Sequence, residues 1–270
     1  MEDSIYVYNG VMALHITLIH NNESERLSYI RPLLEKISKV YSAKYSEIYF
    51  QTPRYISFIN VLVRKYYIVY SGRKWRKSLN GEKKEVFINS IIEAITDTFK
   101  IFSKNFRYRQ KNKLKIEDML SRKHHEALTR FSSQAKANDV LICFESDVII
   151  PSIDYFLEAL NYLFENISGK DFYLLAFPFS ENDICLNESE WKKSERTNFS
   201  IIRENSPVAI HFPRLISNTA CAYAINYEMA RRLADHSKNK FRRIFLPADF
   251  HQNLVFLTLR KSRLDAGGGQ

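Results

Sequence analysis

The first regular pattern in the chain is a β-rich run, Leu14-His15-Ile16-Thr17-Leu18-Ile19-His20, closed by Asn21-Asn22, a turn signal. Apolar positions then recur at three and four residues through Leu27, Ile30, Leu33, Leu34 and Ile37, the period of an amphipathic helix. Ser24 is placed to cap that helix, and Pro32 predicts a kink or a division into two parts. Glu47 to Gln51 is a second strand candidate, so the opening reads strand, helix, strand. The rhythm breaks over residues 53 to 115, read as an inserted helical region with a helix from about Glu85 to Lys104. Another helix is predicted from about Ile116 to Ala137, with Leu120, His124, Leu128 and Phe131 down one side. Asn138-Asp139 turns into Val140-Leu141-Ile142-Cys143-Phe144, a short apolar run of the kind a buried parallel strand shows. A helix over Ser152 to Asn166 and a strand near Phe172 to Phe177 continue the alternation. The expected class is α/β, a Rossmann-type sheet wound with helices, whose ligands collect at the carboxyl ends of its strands.

Composition supports a packed protein: 45% hydrophobic and 14% aromatic residues, with seven glycines and seven prolines, exclude a disordered or fibrous chain. The 270 residues are read as one domain over 1–266, elaborated by the basic aromatic insertion at about 53–115 and closed by a flexible tail at 267–270. Forty Lys and Arg against thirty Asp and Glu give a formal charge of +10, concentrated between Arg64 and Lys84 and between Lys100 and Lys115. That surplus favours anionic partners without choosing among nucleotide phosphates, acidic glycans, lipid headgroups and nucleic acid; a solvated basic face explains it equally simply. Cys143, Cys185 and Cys221 match neither a disulfide framework nor a paired-cysteine metal site, so free thiols in a reducing, cytoplasmic setting are expected. No stretch approaches the roughly 20 apolar residues of a membrane span, and Glu2 and Asp3 argue against a secretory signal.

Glu145-Ser146-Asp147 stands at the carboxyl end of the Val140–Phe144 run, where the α/β pattern places chemistry. Two carboxylates one residue apart can present oxygens to a hard cation such as Mg²⁺ or Mn²⁺. Such an ion neutralises a diphosphate leaving group. An exposed turn with solvated acids has the same sequence.

Three blocks, in order, resemble glycosyltransferase family 25, the lipooligosaccharide sugar transferases of GT-A type fold. The first is Ile16-Thr17-Leu18-Ile19 with Glu25-Arg26 opening a helix. The second runs from Leu120 through His124-His125 to Glu145-Ser146-Asp147, similar to the family's Ser-His helix and its strand ending in Glu-Asp-Asp. The third is Asn218-Thr219-Ala220-Cys221-Ala222-Tyr223-Ala224-Ile225, then Ala230-Arg231-Arg232-Leu233, then Leu246-Pro247-Ala248-Asp249. The middle acid of the family triplet is Ser146 here, and residues 53 to 115 have no counterpart.

The resemblance implies a transferase moving sugar from a nucleotide-sugar to a lipooligosaccharide, lipopolysaccharide or capsule acceptor, metal-dependent and inverting. It assigns Asp147 and Glu145 to Mn²⁺ or Mg²⁺, with Glu145 also a donor ligand, and His251 as a further metal ligand or a structural histidine. Asp249 is a general base or sugar ligand, or else the N-cap of a helix from Phe250 to Leu259. Arg26, His125, Ser146, Asn218 and Thr219 are the donor-binding candidates, although a surface arginine and strand packing also account for several of them. Tyr and Phe over residues 41 to 70 are core residues or sugar-stacking surfaces, and the basic residues there supply a peripheral contact with an anionic inner membrane face. Three other readings stand beside this one: a basic nucleic-acid-binding protein, a metal-dependent phosphoryl transferase or nuclease using the same acids, and a non-catalytic module on a transferase fold.

Overall fold

Every side chain of β1 (Leu14–His20) is buried, although the strand carries two histidines and a threonine. A strand covered on both faces must pair its backbone on both edges, and β1 does so. It lies parallel to β2 (Lys44–Tyr49) on one side and to β3 (Val140–Glu145) on the other. The sheet has five strands in the order β2-β1-β3-β5-β4, with β4 spanning Phe172–Leu174 and β5 spanning Ala222–Asn226. β5 runs antiparallel to both β3 and β4, so the sheet is mixed. The protein is thus α/β, as the alternating pattern predicts. This computed structural model describes residues 13–49, 55–57, 59–64, 66–67, 84–100, 102–150, 152–166, 172–175 and 221–237.

One face of the sheet is built from alternate residues: Leu14, Ile16 and Leu18 on β1, Val140, Ile142 and Phe144 on β3, Ala222 and Ala224 on β5. Against it pack α1 (Ser24–Val40), through Leu27, Ile30, Leu34 and Ile37, and α4 (Ile153–Asn166), through Leu160, Leu163 and Phe164. Tyr41, at the end of α1, places its hydroxyl 2.6 Å from Asn161 Oδ1 and donates to Leu157 O, joining the two helices. His15 faces the other way and meets Phe131 edge-on, 5.0 Å between ring centres. Burial, and secondarily Lys44, lower its pKa against the opposing pull of Asp139. Asp139 pins the lower end of the sheet, accepting from Ala13 N at 3.1 Å and Lys136 N at 2.8 Å. Asn226 ends β5 and caps α5 (Tyr227–Ser237) by accepting from Met229 N at 3.0 Å.

Several elements differ from the sequence expectations, each for a physical reason. α1 is one helix: Pro32 sits on its exposed side, where the lost backbone bond faces water, while the buried residues on either side of it anchor one continuous face. The residue at the N-cap is Glu23, with no side-chain cap hydrogen bond, and Ser24 is already helical. β2 begins at Lys44 because its register follows β1, His15 opposite Lys44 through His20 opposite Tyr49; as a polar edge strand it lacks the apolar run expected of a strand. The two predicted helices of the middle region are α2 (Lys84–Lys100) and a 31-residue α3 (Lys104–Gln134), so the second starts well before Ile116. Of the strand expected near 172–177, residues 172–174 are in β4.

Residues 1–49 and 126–234 form one compact unit, and 50–125 with 235–270 form a second. The second has its own small core of Ile56, Val61 and Leu114, flanked by Leu62 and Phe106. There Arg64 is buried and paired with Glu117, and Tyr66 meets Thr98 hydroxyl to hydroxyl at 3.0 Å. Among the described residues no helix is long and apolar enough to cross a membrane.

Since Ile16 is fully buried at the centre of the first core, Ile16→Ala should destabilise that unit by about 3 kcal/mol. Urea unfolding followed by circular dichroism measures it.

Candidate functional site

The chain leaves β1 through α1 to reach β2 on one side, whereas β3 lies on the other side. The carboxyl ends of β1 and β3 therefore flank a topological switch point, the place where open α/β sheets leave a crevice for ligands. Ser146 N donates to Ile19 O at 2.9 Å and Glu145 N to Cys221 O at 2.6 Å, so the ladder continues up to the acidic turn. Val148 N closes that turn onto Glu145 O at 3.2 Å. Because β5 is antiparallel to β3, its first residues stand beside the end of β3. One ligand atom each from Glu145, Asp147 and Cys221 lies within 4.8 Å of the others.

Glu145 is half-buried, Ser146 is buried and Asp147 reaches solvent. Even so, the protein around the turn removes enough water to push the Asp147 carboxyl above its ordinary value, and the negative Glu145 pushes it further. Arg26 and the backbone N–H of Asp147 pull the other way. Glu23 also faces this turn, its Oε2 3.4 Å from Ser146 Oγ. Partial burial raises the Glu23 pKa, but hydrogen bonds from Asn21 N at 2.7 Å and Asn21 Nδ2 at 2.9 Å, aided by Arg26, outweigh it and leave the group lowered. The place holds three carboxyl groups within one another's field, an arrangement suited to a cation.

The turn carrying Glu23 is braced from behind. Asn22 adopts φ 68°, in the left-handed region that asparagine tolerates better than most residues. Its N–H donates to His20 Nδ1 at 3.0 Å, which assigns the His20 proton to Nε2, facing Glu47 Oε2 at 3.1 Å. The His20 ring stacks on Tyr49 at 5.3 Å. Glu47 accepts two bonds of 2.7 Å from Arg31 and one of 2.7 Å from Tyr45. The Arg31 bonds dominate and hold the Glu47 carboxyl at about 2 despite partial burial. Burial first, and Glu47 second, push the Tyr45 phenol up, so it remains a donor.

Of the residues singled out from sequence, the fold brings together Glu145, Ser146 and Asp147, with Arg26 exposed on the first turn of α1 and close enough to act on both Asp147 and Glu23. Ser146 Oγ is directed to Glu23. His125 is half-buried on α3 in the second unit, beside the buried His124. Asn218, Thr219, Asp249 and His251 lie outside the described residues, as does Cys185. Cys221, Glu23 and the His20–Glu47–Arg31 bracing escaped the sequence reading. For Cys221 the available signal was its position one residue before a buried strand that follows the acidic run.

No family model, no curated protein and no solved structure matches this chain.

The lowered Glu47 pKa links stability to pH with a definite sign. The folded protein keeps this carboxylate ionised at pH values where the unfolded chain, titrating near 4.5, is protonated. Its contribution is therefore complete above pH 4.5 and lost as pH falls towards 2. Glu47→Gln should cost about 2 kcal/mol at neutral pH, after allowing for the partly exposed Arg31, and flatten the acid limb of the stability profile. Thermal melts across an acid pH series check both.

Proposed function

We propose that this chain is a cation-dependent glycosyltransferase of GT-A architecture, a distant relative of glycosyltransferase family 25. It moves a sugar from a nucleotide-sugar to a cell-surface glycan acceptor of the lipooligosaccharide, lipopolysaccharide or capsule class, with inversion. The observation that carries this reading is the convergence of Glu145, Asp147 and Cys221 beside the carboxyl end of β3, next to the switch point. The Glu145 and Asp147 oxygens fit Mn²⁺ or Mg²⁺, and the Cys221 sulfur adds a softer donor that would favour Co²⁺ or Zn²⁺ over Mg²⁺.

A cation there supplies charge neutralisation for the departing nucleoside diphosphate. Glu145 and Asp147 would hold it, and it would relieve their mutual repulsion. Arg26, exposed on the first turn of α1, takes a phosphate oxygen of the donor. Glu23, ionised and fixed by Asn21, accepts from a ribose or sugar hydroxyl. The acceptor hydroxyl oxygen forms the new bond to the anomeric carbon as the bond to the diphosphate breaks, and the hydroxyl proton passes to a general base, the role for which the family resemblance offers Asp249.

Isothermal titration with Mn²⁺ and a panel of UDP-, GDP- and CMP-sugars tests the proposal. The wild-type chain should bind one nucleotide class in a metal-dependent way, and Asp147→Asn should weaken that binding by about tenfold or more. Removing the crowded negative charge should leave the Asp147→Asn melting temperature in metal-free buffer no lower than wild type. Cys221→Ser should keep Mn²⁺ binding while losing preference for Zn²⁺. Donor binding that Asp147→Asn leaves unchanged, or tight oligonucleotide binding in its place, overturns the assignment.

A further inference from the structure

The second unit carries an apolar surface that its own packing does not explain. On α2, Ile88, Ile92, Ile95 and Phe99 follow one another at spacings of four, three and four, and all are exposed. Such spacing places them in a single stripe along the helix. Phe102 extends the stripe beyond the helix end, 79% exposed beside Phe99 at 69%. Thr96 and Thr98 turn their hydroxyls back onto the carbonyls of Ile92 and Ala94, at 2.8 and 2.7 Å, so α2 satisfies these polar groups within itself. Burying that stripe would gain free energy that water now denies it.

The surroundings of the stripe indicate what covers it. From Lys100 to Lys115 the chain has seven basic residues, Lys100, Lys104, Arg107, Arg109, Lys111, Lys113 and Lys115, and no acidic one. Lys100 is exposed at the end of the stripe, and Lys104, Arg109 and Lys113 are exposed on the first turns of α3 with Tyr108 and Ile116 among them. The corner between the helices thus presents Phe99, Lys100, Phe102 and Lys104 to solvent together. Glu93, five residues beyond Ile88, projects well to the side of the stripe at about 100° per residue, and Asp97 is buried. Aliphatic side chains bordered by cations match the interface of an anionic bilayer, where apolar groups sink below the headgroups and lysines stay among them. A nucleic acid would use the cations and stacking aromatics but gain nothing from Ile88, Ile92 and Ile95. A second copy would bring two sets of seven like charges together.

We propose that α2 and the α2–α3 corner form a membrane-docking surface: the Ile88–Ile92–Ile95–Phe99 stripe and Phe102 enter the acyl boundary of an anionic leaflet, and Lys100, Lys104, Arg109 and Lys113 bind its headgroups. This goes beyond the transfer reading and does not depend on the cation site, so the two can fail separately.

Flotation of the full chain with phosphatidylcholine vesicles, with and without phosphatidylglycerol, is the test. Wild-type protein should float with the anionic vesicles and release at high salt. Lys100→Gln and Lys104→Gln should each lower partitioning about fivefold, and Phe99→Ser with Phe102→Ser by about tenfold or more. These residues are exposed, and unchanged circular dichroism melts confirm that the variants fold. Phe102→Trp should add a blue-shifted emission component quenched by brominated acyl chains. Equal flotation with neutral and anionic vesicles, flotation unaffected by the phenylalanine pair, or a dimer in sedimentation that Ile92→Asp dissociates while vesicle binding is absent, each overturns the proposal. Oligonucleotide binding that removes the same lysines' effect on vesicles does so as well.

Discussion

A strand with protein on both faces has no water for its backbone, so every N–H and C=O must find a partner in a neighbouring strand, and β1 is under that constraint along its whole length. Its pairing with β2 and β3 is the condition on which the first unit rests. The alternate side chains of these strands create the apolar floor for α1 and α4, and Asp139 closes the opposite end by bonding Ala13 and Lys136. The same ladder runs one residue past β3, where Ser146 N bonds Ile19 O. Backbone pairing thus sets where Asp147 stands. A slip of one residue would turn every core side chain outward and carry the acidic turn away from β5.

The site at the end of that ladder stores unfavourable electrostatics. Asp147 is pushed up by lost solvation and by Glu145, while the two bonds from Asn21 outweigh partial burial and hold the Glu23 carboxyl below its ordinary value. Behind it, Arg31 and Tyr45 bond Glu47, His20 Nε2 lies 3.1 Å from the same carboxylate, and His20 Nδ1 accepts from Asn22 N, where the chain takes a left-handed conformation that most residues avoid. The contrast has a physical logic. The bracing network is stabilising, and the acids it supports are left in tension that a bound cation would release.

The two units expose different chemistry. Among the described residues, the first packs most of its apolar side chains between helices and sheet, whereas Ile88, Ile92, Ile95, Phe99 and Phe102 of the second face solvent beside an uninterrupted cationic segment. The +10 charge of the chain is therefore not an even coat. Its Lys100–Lys115 run adjoins the exposed apolar stripe of α2, which is why charge and hydrophobicity are taken together in the proposed docking surface.

Local patterns were legible without coordinates where a single element carries its own signal. The apolar run of β1, the three-and-four spacing of α1, the continuous apolar β3 and the acids at its end can each be read from neighbouring residues, because burial on one face or two imposes a period on the sequence. β2 was displaced in that reading because an edge strand needs no apolar run, and the start of α3 was missed because a basic, polar stretch gives no period to follow. Only the tertiary structure placed Cys221 beside Glu145 and Asp147, set Glu23 against Ser146, and joined His20 to Glu47 and Arg31. These residues are distant in the chain or on different elements, and what unites them is strand order and register, which arise from the pairing of whole strands and leave no mark on any one of them.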